Sequence, residues 1–156
     1  MKISTKGKYG LRAMIDLAQS SEQEAVSISS IAQRQKISES YLEQLVAKLK
    51  KAGLVVSIRG AAGGYRLARP ASGISVGDVL RALEGDVRAV ICTAQTEEGC
   101  EGEELCVTKY VWQRINESIE KTVDEMMLDQ LVAESRKAQE KAKNHDVDYS
   151  RNSCSG

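Results

Sequence analysis

Phenylalanine is absent from these 156 residues, and proline, tryptophan and histidine occur once each. So little aromatic and turn-forming material, with 28% charged residues, favours helices over sheet. No apolar run approaches the roughly 20 residues of a membrane span. The N-terminal MKISTKGKYGLRAM lacks the apolar stretch and small-residue cleavage site of a secretory signal. The expectation is a cytoplasmic protein with no membrane partner, in a compartment where thiols stay reduced. With one histidine, no phosphate-binding glycine motif and no nucleophile–base set, an enzyme is not expected. Net charge is also lacking, since 22 Lys/Arg balance 22 Asp/Glu.

That balance hides a division. Residues 1–81 carry thirteen Lys/Arg against six Asp/Glu, and residues 82–156 carry nine against sixteen. A basic half points to a polyanion such as DNA or RNA, bound through phosphate neutralisation. A solvated basic face would give the same charge count, so the local pattern has to decide.

Leu11, Met14, Ile15, Leu17 and Ala18 form one helical face within residues 6–20. Ile28, Ile31 and Ala32 make a short helix capped by Ser29 or Ser30. Leu42, Leu45, Val46 and Leu49 make a second, capped near Ser38 and ended by Gly53. A short helix, the turn Gln35-Lys36-Ile37-Ser38 and a longer helix form a helix-turn-helix pattern, although the turn lacks glycine. LVVSIRG, AAGG and YRLARP then read as strand, turn and strand, with Leu54, Val56 and Ile58 on one packing face. The fold class expected is mainly α with a small β-hairpin wing: a winged helix-turn-helix domain followed by a long helix. Arg59, Arg66 and Arg69 lie on the hairpin, where arginine holds phosphates or enters a minor groove.

The exposed side of the second helix carries Ser38, Ser40, Tyr41, Glu43, Gln44 and Lys48. Glutamine bonds adenine bidentately, a carboxylate accepts from cytosine, and lysine holds phosphate. Glu43 also fits a local alternative, a capping box running from Ser40. Farther on, Ser75 and Asp78 open a short helix that Gly85 ends. From Val107 a stripe of Val111, Trp112, Ile115, Ile119, Val123 and Met126/Met127 predicts a long helix that pairs with a second copy of itself. A homodimer would set two reading helices one DNA turn apart, about 34 Å, on a palindromic double-stranded operator.

Cys92, Cys100 and Cys106 lie in the acidic run CTAQTEEGCEGEELC. Their spacing lacks the close pairs of most zinc sites, and a disulfide would strand one thiol. Neighbouring glutamates should raise the thiol pKa values and slow redox switching. An iron–sulfur cluster takes thiolates, and Gly99 and Gly102 let a loop wrap one. Spacing alone favours the cluster but leaves zinc and reactive thiols open.

MKISTKGKYGLRAM, SESYLEQLVAKLKKAGLV and SIRGAAGGYRLAR resemble the IscR, NsrR and CymR family of winged-helix transcription regulators, over about residues 1–130. The resemblance implies that Ser38, Ser40, Tyr41, Glu43, Gln44, Lys48, Arg59 and Gly60 contact DNA, with Glu43 filtering bases and Arg59 in the minor groove. It also implies that Cys92, Cys100 and Cys106 hold an iron–sulfur cluster, a 2Fe–2S form ahead of a 4Fe–4S form. The histidine that IscR-type members carry three residues after the third cysteine is Lys109 here, and the acid that NsrR-type members use in the first helix is Lys8. Cys154, Glu101, Glu103, Glu104 or an exogenous group remain for the fourth position, with His145 in the polar tail. The first eighty residues look closest to CymR, so a cysteine-metabolism repressor docked by a cysteine-biosynthesis enzyme, without a cluster, is the alternative. The expected organisation is a DNA-binding domain over 1–84, a cluster loop over 85–107, a dimerisation helix and extension over 108–143, and a disordered tail over 144–156.

Overall fold

The computed structural model describes residues 2–20, 24–91 and 106–152, the last seven by backbone alone. Its helices are α1 (Thr5–Gln19), α2 (Ile28–Gln35), α3 (Glu39–Lys51), α4 (Val76–Glu84), α5 (Thr108–Glu125) and α6 (Leu128–Asn152). The strands β1 (Val55–Ile58) and β2 (Gly64–Leu67) pair antiparallel, with Val55 opposite Leu67 and Ile58 opposite Gly64. Helix-turn-helix, hairpin and long helix follow in the order the sequence predicts, and the fold class is as expected.

Met14 and Leu17 of α1 meet Ile31 of α2, Leu42, Leu45, Val46 and Leu49 of α3, Val79 and Leu83 of α4 and Leu128 of α6 in one core. Two glycines let α4 approach α1: a Cβ on Gly10 would run into Leu83 Cδ1, and one on Gly7 into Glu84 Oε1. Glu84 closes this contact. Its carboxylate accepts from Ser4 Oγ at 2.6 Å and from the backbone N–H groups of Ser4 and Gly7 at 3.0 Å each. Those donors, the Ser4 hydroxyl foremost, hold the Glu84 carboxyl below its usual range.

Four local readings change. The cap of α2 is Ser27, whose side chain accepts from Ser30 N, rather than Ser29 or Ser30. Val26 exchanges two 2.8 Å backbone hydrogen bonds with Tyr65, which keeps the chain extended until that residue. The turn manages without glycine because Lys36 itself adopts the left-handed conformation, at φ 55° and ψ 47°. In the hairpin, Leu54 still closes the end of α3 by bonding Leu49 O, so strand alternation begins at Val55. Leu54 and Val55 are therefore both buried, and Ile58 is exposed.

The fourth concerns the long helix, which breaks at Met126–Met127. Val76 N bonds Met126 O at 2.8 Å and Leu128 N bonds Ile74 O at 3.0 Å, a short β-bridge that turns the chain back. Burial of Leu128 and Val132 accompanies the turn, and Gln19 bonds Ser135 at 2.7 Å, so α6 returns along α1. The helix continues past residue 143 to Asn152, into the segment expected as a tail. No helix among the described residues is long and apolar enough to cross a membrane.

Candidate nucleic-acid interface and thiol segment

Leu42, Leu45, Val46 and Leu49 turn one side of α3 into the core, which leaves Ser40, Glu43, Gln44, Ala47, Lys48 and Lys51 along the opposite ridge. The helix begins at Glu39, with Ser38 Oγ accepting from Tyr41 N at 3.2 Å. Ser40 and Glu43 therefore stand inside the helix, and the capping box from Ser40 does not form. Glu43 projects from the exposed ridge with no hydrogen-bond partner among the described residues. An unengaged carboxylate on an exposed ridge is a group that can accept from a base edge.

A chain of polar and aromatic contacts that pattern reading missed links α1, α2 and the start of α3. Asp16 is 6% exposed, and its carboxylate takes Arg34 through both Nε and a terminal nitrogen and Gln35 Nε2 at 2.9 Å. The Asp16 hydrogen bond raises the Arg34 pKa above its usual value. Gln35 in turn accepts from Arg12, at its side-chain oxygen (3.0 Å) and at its carbonyl (3.1 Å). Arg12 lies over the Tyr9 ring, and Tyr9 meets Tyr41 edge-on at 6.1 Å. The local signal was an aspartate on an otherwise apolar face of α1, but its partners lie eighteen and nineteen residues away.

On the wing, Arg59 and Gly60 are exposed at the turn, where Gly60 adopts φ 114°. Arg66 stands opposite Val56 and is half-buried. Arg69 does not join them. It donates to Gly73 O at 2.8 Å and to Asp78 at 3.1 Å, bracing the turn before α4. Lys50 Nζ reaches Ser57 Oγ at 3.0 Å and ties the ridge helix to β1.

Cys92 and Cys100, with the glutamates and glycines between them and Cys106, lie outside the described residues, as does Cys154. Cys106 is described. It is half-buried just ahead of α5, with Sγ 3.2 Å from Thr108 Oγ1. The Thr108 hydroxyl first, and the Lys109 backbone N–H next, lower its pKa from the ordinary thiol value, opposite to the rise expected from the glutamates. Lys109 Nζ stands 5.4 Å from the Tyr110 ring centre, and His145 is exposed on α6. Among the described residues, no three His, Cys, Asp or Glu side chains converge on a metal position.

α5 has two halves. Its end is anchored: Val123 and Met126 meet Val76, Leu80 and Val87, and Arg81 takes Asp124 with two 2.8 Å bonds. Its first half carries exposed Tyr110, Val111, Trp112 and Ile115, with Val107 just before it. Asn116, which the apolar pattern passed over, is buried there against Ala89 and Val90.

The family model described as Rrf2, iron-dependent transcriptional regulator, matches residues 3–134. HTH-type transcriptional regulator IscR of Yersinia enterocolitica is 42% identical over 132 residues, 85% of this chain and 79% of that protein. The solved structure of T. potens IscR is 46% identical with a TM-score of 0.71, over 89% of this chain and 91% of that one. CymR, the global cysteine regulator of B. subtilis, is 42% identical with a TM-score of 0.71, over 85% of this chain and 97% of that one.

Proposed function

The chain belongs to the Rrf2 family of iron-dependent transcriptional regulators, and from that premise we propose that it is a homodimer whose thiol segment holds an iron–sulfur cluster and whose cluster state sets its binding to DNA. As a family member it is a DNA-binding transcription regulator; the family and its relatives are regulators rather than enzymes. The observation that carries the finer reading is the position of Cys106, a thiol whose pKa the Thr108 hydroxyl lowers, at the start of the helix whose exposed apolar face we assign to a second copy. Thiolates are the donors such a cluster uses, so the chemistry of the described donor fits the group. Cys92, Cys100 and Cys106 are the ligands we assign. A bound cluster would supply a centre responsive to iron supply and oxidation.

The chain's own residues do the rest. Gln44 and Ser40 on the α3 ridge meet base edges in the major groove, Ser38, Tyr41 and Lys48 hold the flanking phosphates, and Arg59 with Gly60 follows the wing into the minor groove. Glu43 repels phosphate unless a base offers it a donor, which makes it a filter. Residues 1–84 read DNA, 85–107 carry the thiols, and α5 joins the two copies. Binding of a cluster by the thiols ahead of α5 would bias how the paired α3 helices are presented, a shift between two populations. No relative's name supports an enzyme partner, and since the CymR and IscR structures match this fold with the same TM-score, the thiols rather than the fold separate the cluster reading from the cysteine-regulator alternative.

Selection of binding sites from random DNA, followed by titration of the selected duplex, tests the DNA face. Gln44→Ala and Arg59→Ala are each expected to weaken specific binding by about 1–3 kcal/mol, five- to 150-fold. Glu43→Ala should widen the selected motif while general affinity holds or rises. Unchanged affinity in the first two, or an unchanged motif in the third, would remove those residues from the interface.

A further inference from the structure

Among its described residues, α5 buries a single side chain, and that side chain is polar: Asn116, 6% exposed. Its Oδ1 accepts from the backbone N–H groups of Ala89 at 2.9 Å and Val90 at 3.3 Å, and its Nδ2 donates to Val90 O at 2.8 Å. Three of the four hydrogen-bonding sites of the amide are thus spent on one stretch of irregular chain. An apolar residue of the same size would continue the stripe of Val111, Ile115 and Ile119 but would leave those backbone groups unmatched. Nothing in the helix itself requires this asparagine. Its partners are all in the segment that leads into the thiols.

The place of that segment gives the contact its meaning. Val87 is buried against Val76 and Leu80, so the chain is anchored as it leaves α4. Asn116 then clamps Val90 at both its N–H and its carbonyl. Cys92 follows two residues later, within about 7 Å of chain. The far end of the thiol segment is Cys106, whose Sγ meets Thr108 at the first turn of the same helix. Thr108 and Asn116 are eight residues apart on α5, about 12 Å along its axis. The described residues on either side, Val90 and Cys106, therefore both meet α5.

We propose that Asn116 is a positioning residue of the thiol segment, fixing on α5 the point from which the chain leaves toward Cys92. It touches no metal. It holds the chain at Val90, two residues before Cys92 in sequence, and its role as a positioning residue rests on the reading of the segment as a cluster site. The clamp itself exists without metal, as a contact between two parts of the protein.

The test uses the full chain with Asn116→Ala and Asn116→Asp. Aspartate keeps the acceptor for both N–H groups but loses the donor to Val90 O, so it carries the test if the alanine variant folds poorly. In metal-free protein, amide exchange at Ala89 and Val90 should quicken by about tenfold or more in Asn116→Ala, and less in Asn116→Asp. After anaerobic loading with ferrous iron and sulfide, release of iron to a ferrous chelator should quicken by about 10- to 100-fold, as for other groups that orient metal ligands. Helical content should hold throughout. Unchanged amide exchange in both variants overturns the clamp, and faster exchange with unchanged iron release overturns the positioning role. A wild-type chain that takes up no iron overturns this inference together with the cluster reading, whereas one that holds iron equally with both variants overturns the role of Asn116 alone.

Discussion

Replacing Val111 and Ile115 together by aspartate is expected to leave a folded monomer that has lost most of its operator affinity. The two residues are 49% and 38% exposed and stand one helical turn apart, flanked by Tyr110 and Trp112. Within the chain, α5 is held by Val123, Met126, the Arg81–Asp124 pair and Asn116, so the exposed faces of Val111 and Ile115 contribute little to the fold of one copy. Burying a fully exposed aliphatic side chain of this size contributes about 1.5–3 kcal/mol, so the surface these two still expose is worth about half of that each. In a two-fold interface every residue counts twice, and each aspartate also faces or neighbours its own copy. Together these effects should weaken association by about a thousandfold or more. A monomer reads one half-site, so affinity for a two-site operator should fall by at least about a hundredfold. Sedimentation and duplex titration would show both changes. A variant that stays dimeric, or a wild-type chain that sediments as a monomer, would remove α5 from the interface.

The second large effect is expected from Cys106→Ser. Serine keeps the size of the side chain, its contact with Thr108 and its place before α5, so the described structure should persist. It does not keep the thiolate. The Thr108 hydroxyl and the Lys109 N–H already lower the pKa of Cys106, and the hydroxyl that replaces it stays protonated at neutral pH. Losing a group that merely orients a ligand costs roughly 10- to 100-fold in metal affinity, and losing a ligand should cost more. Anaerobically loaded Cys106→Ser should therefore retain less than about a tenth of the wild-type iron under a chelator challenge. Retention equal to wild type would mean that Cys106 is not a ligand. Metal-free protein of either type should bind the selected duplex alike, because the α3 ridge and the wing lie elsewhere in the fold.

The parts of this fold that are legible in the sequence are those set by neighbours. Ser38 before α3, Ser75 with Asp78 at α4 and Gly85 after it are local signals, and each does in the structure what its type suggests. The core of α3 follows from the spacing of Leu42, Leu45, Val46 and Leu49 alone. What escapes is set at a distance. The α5–α6 break falls inside an unbroken apolar pattern, because it depends on Ile74 and Val76 bonding Leu128 and Met126, far away in sequence. Ser27 takes the cap of α2 because Tyr65 holds Val26 extended, and Arg69 leaves the wing because Asp78 lies within reach.

The candidate site divides in the same way. The exposed ridge of α3 is a consequence of helical period and could be read directly, while freeing Glu43 from a capping role required the true start of the helix. Asp16 and Asn116 carry no local mark beyond a polar residue on an apolar face. Their partners, Arg34 with Gln35 and Ala89 with Val90, come from other elements. The Cys106 thiol illustrates the reverse error. Counting nearby glutamates suggests a raised pKa, whereas the contacts that lower it are the Thr108 hydroxyl and the Lys109 backbone N–H at the helix start.

The claim at the centre of this account is that the thiol segment holds an iron–sulfur cluster. Iron, acid-labile sulfide and zinc determined on anaerobically purified full-length protein, together with its visible absorption spectrum, test it most directly. Iron and sulfide in equal amounts, about two of each per chain for a 2Fe–2S form, with visible charge-transfer bands that bleach on chelation, are expected. Zinc in place of iron, or protein without metal and without visible absorption after anaerobic loading, would contradict it.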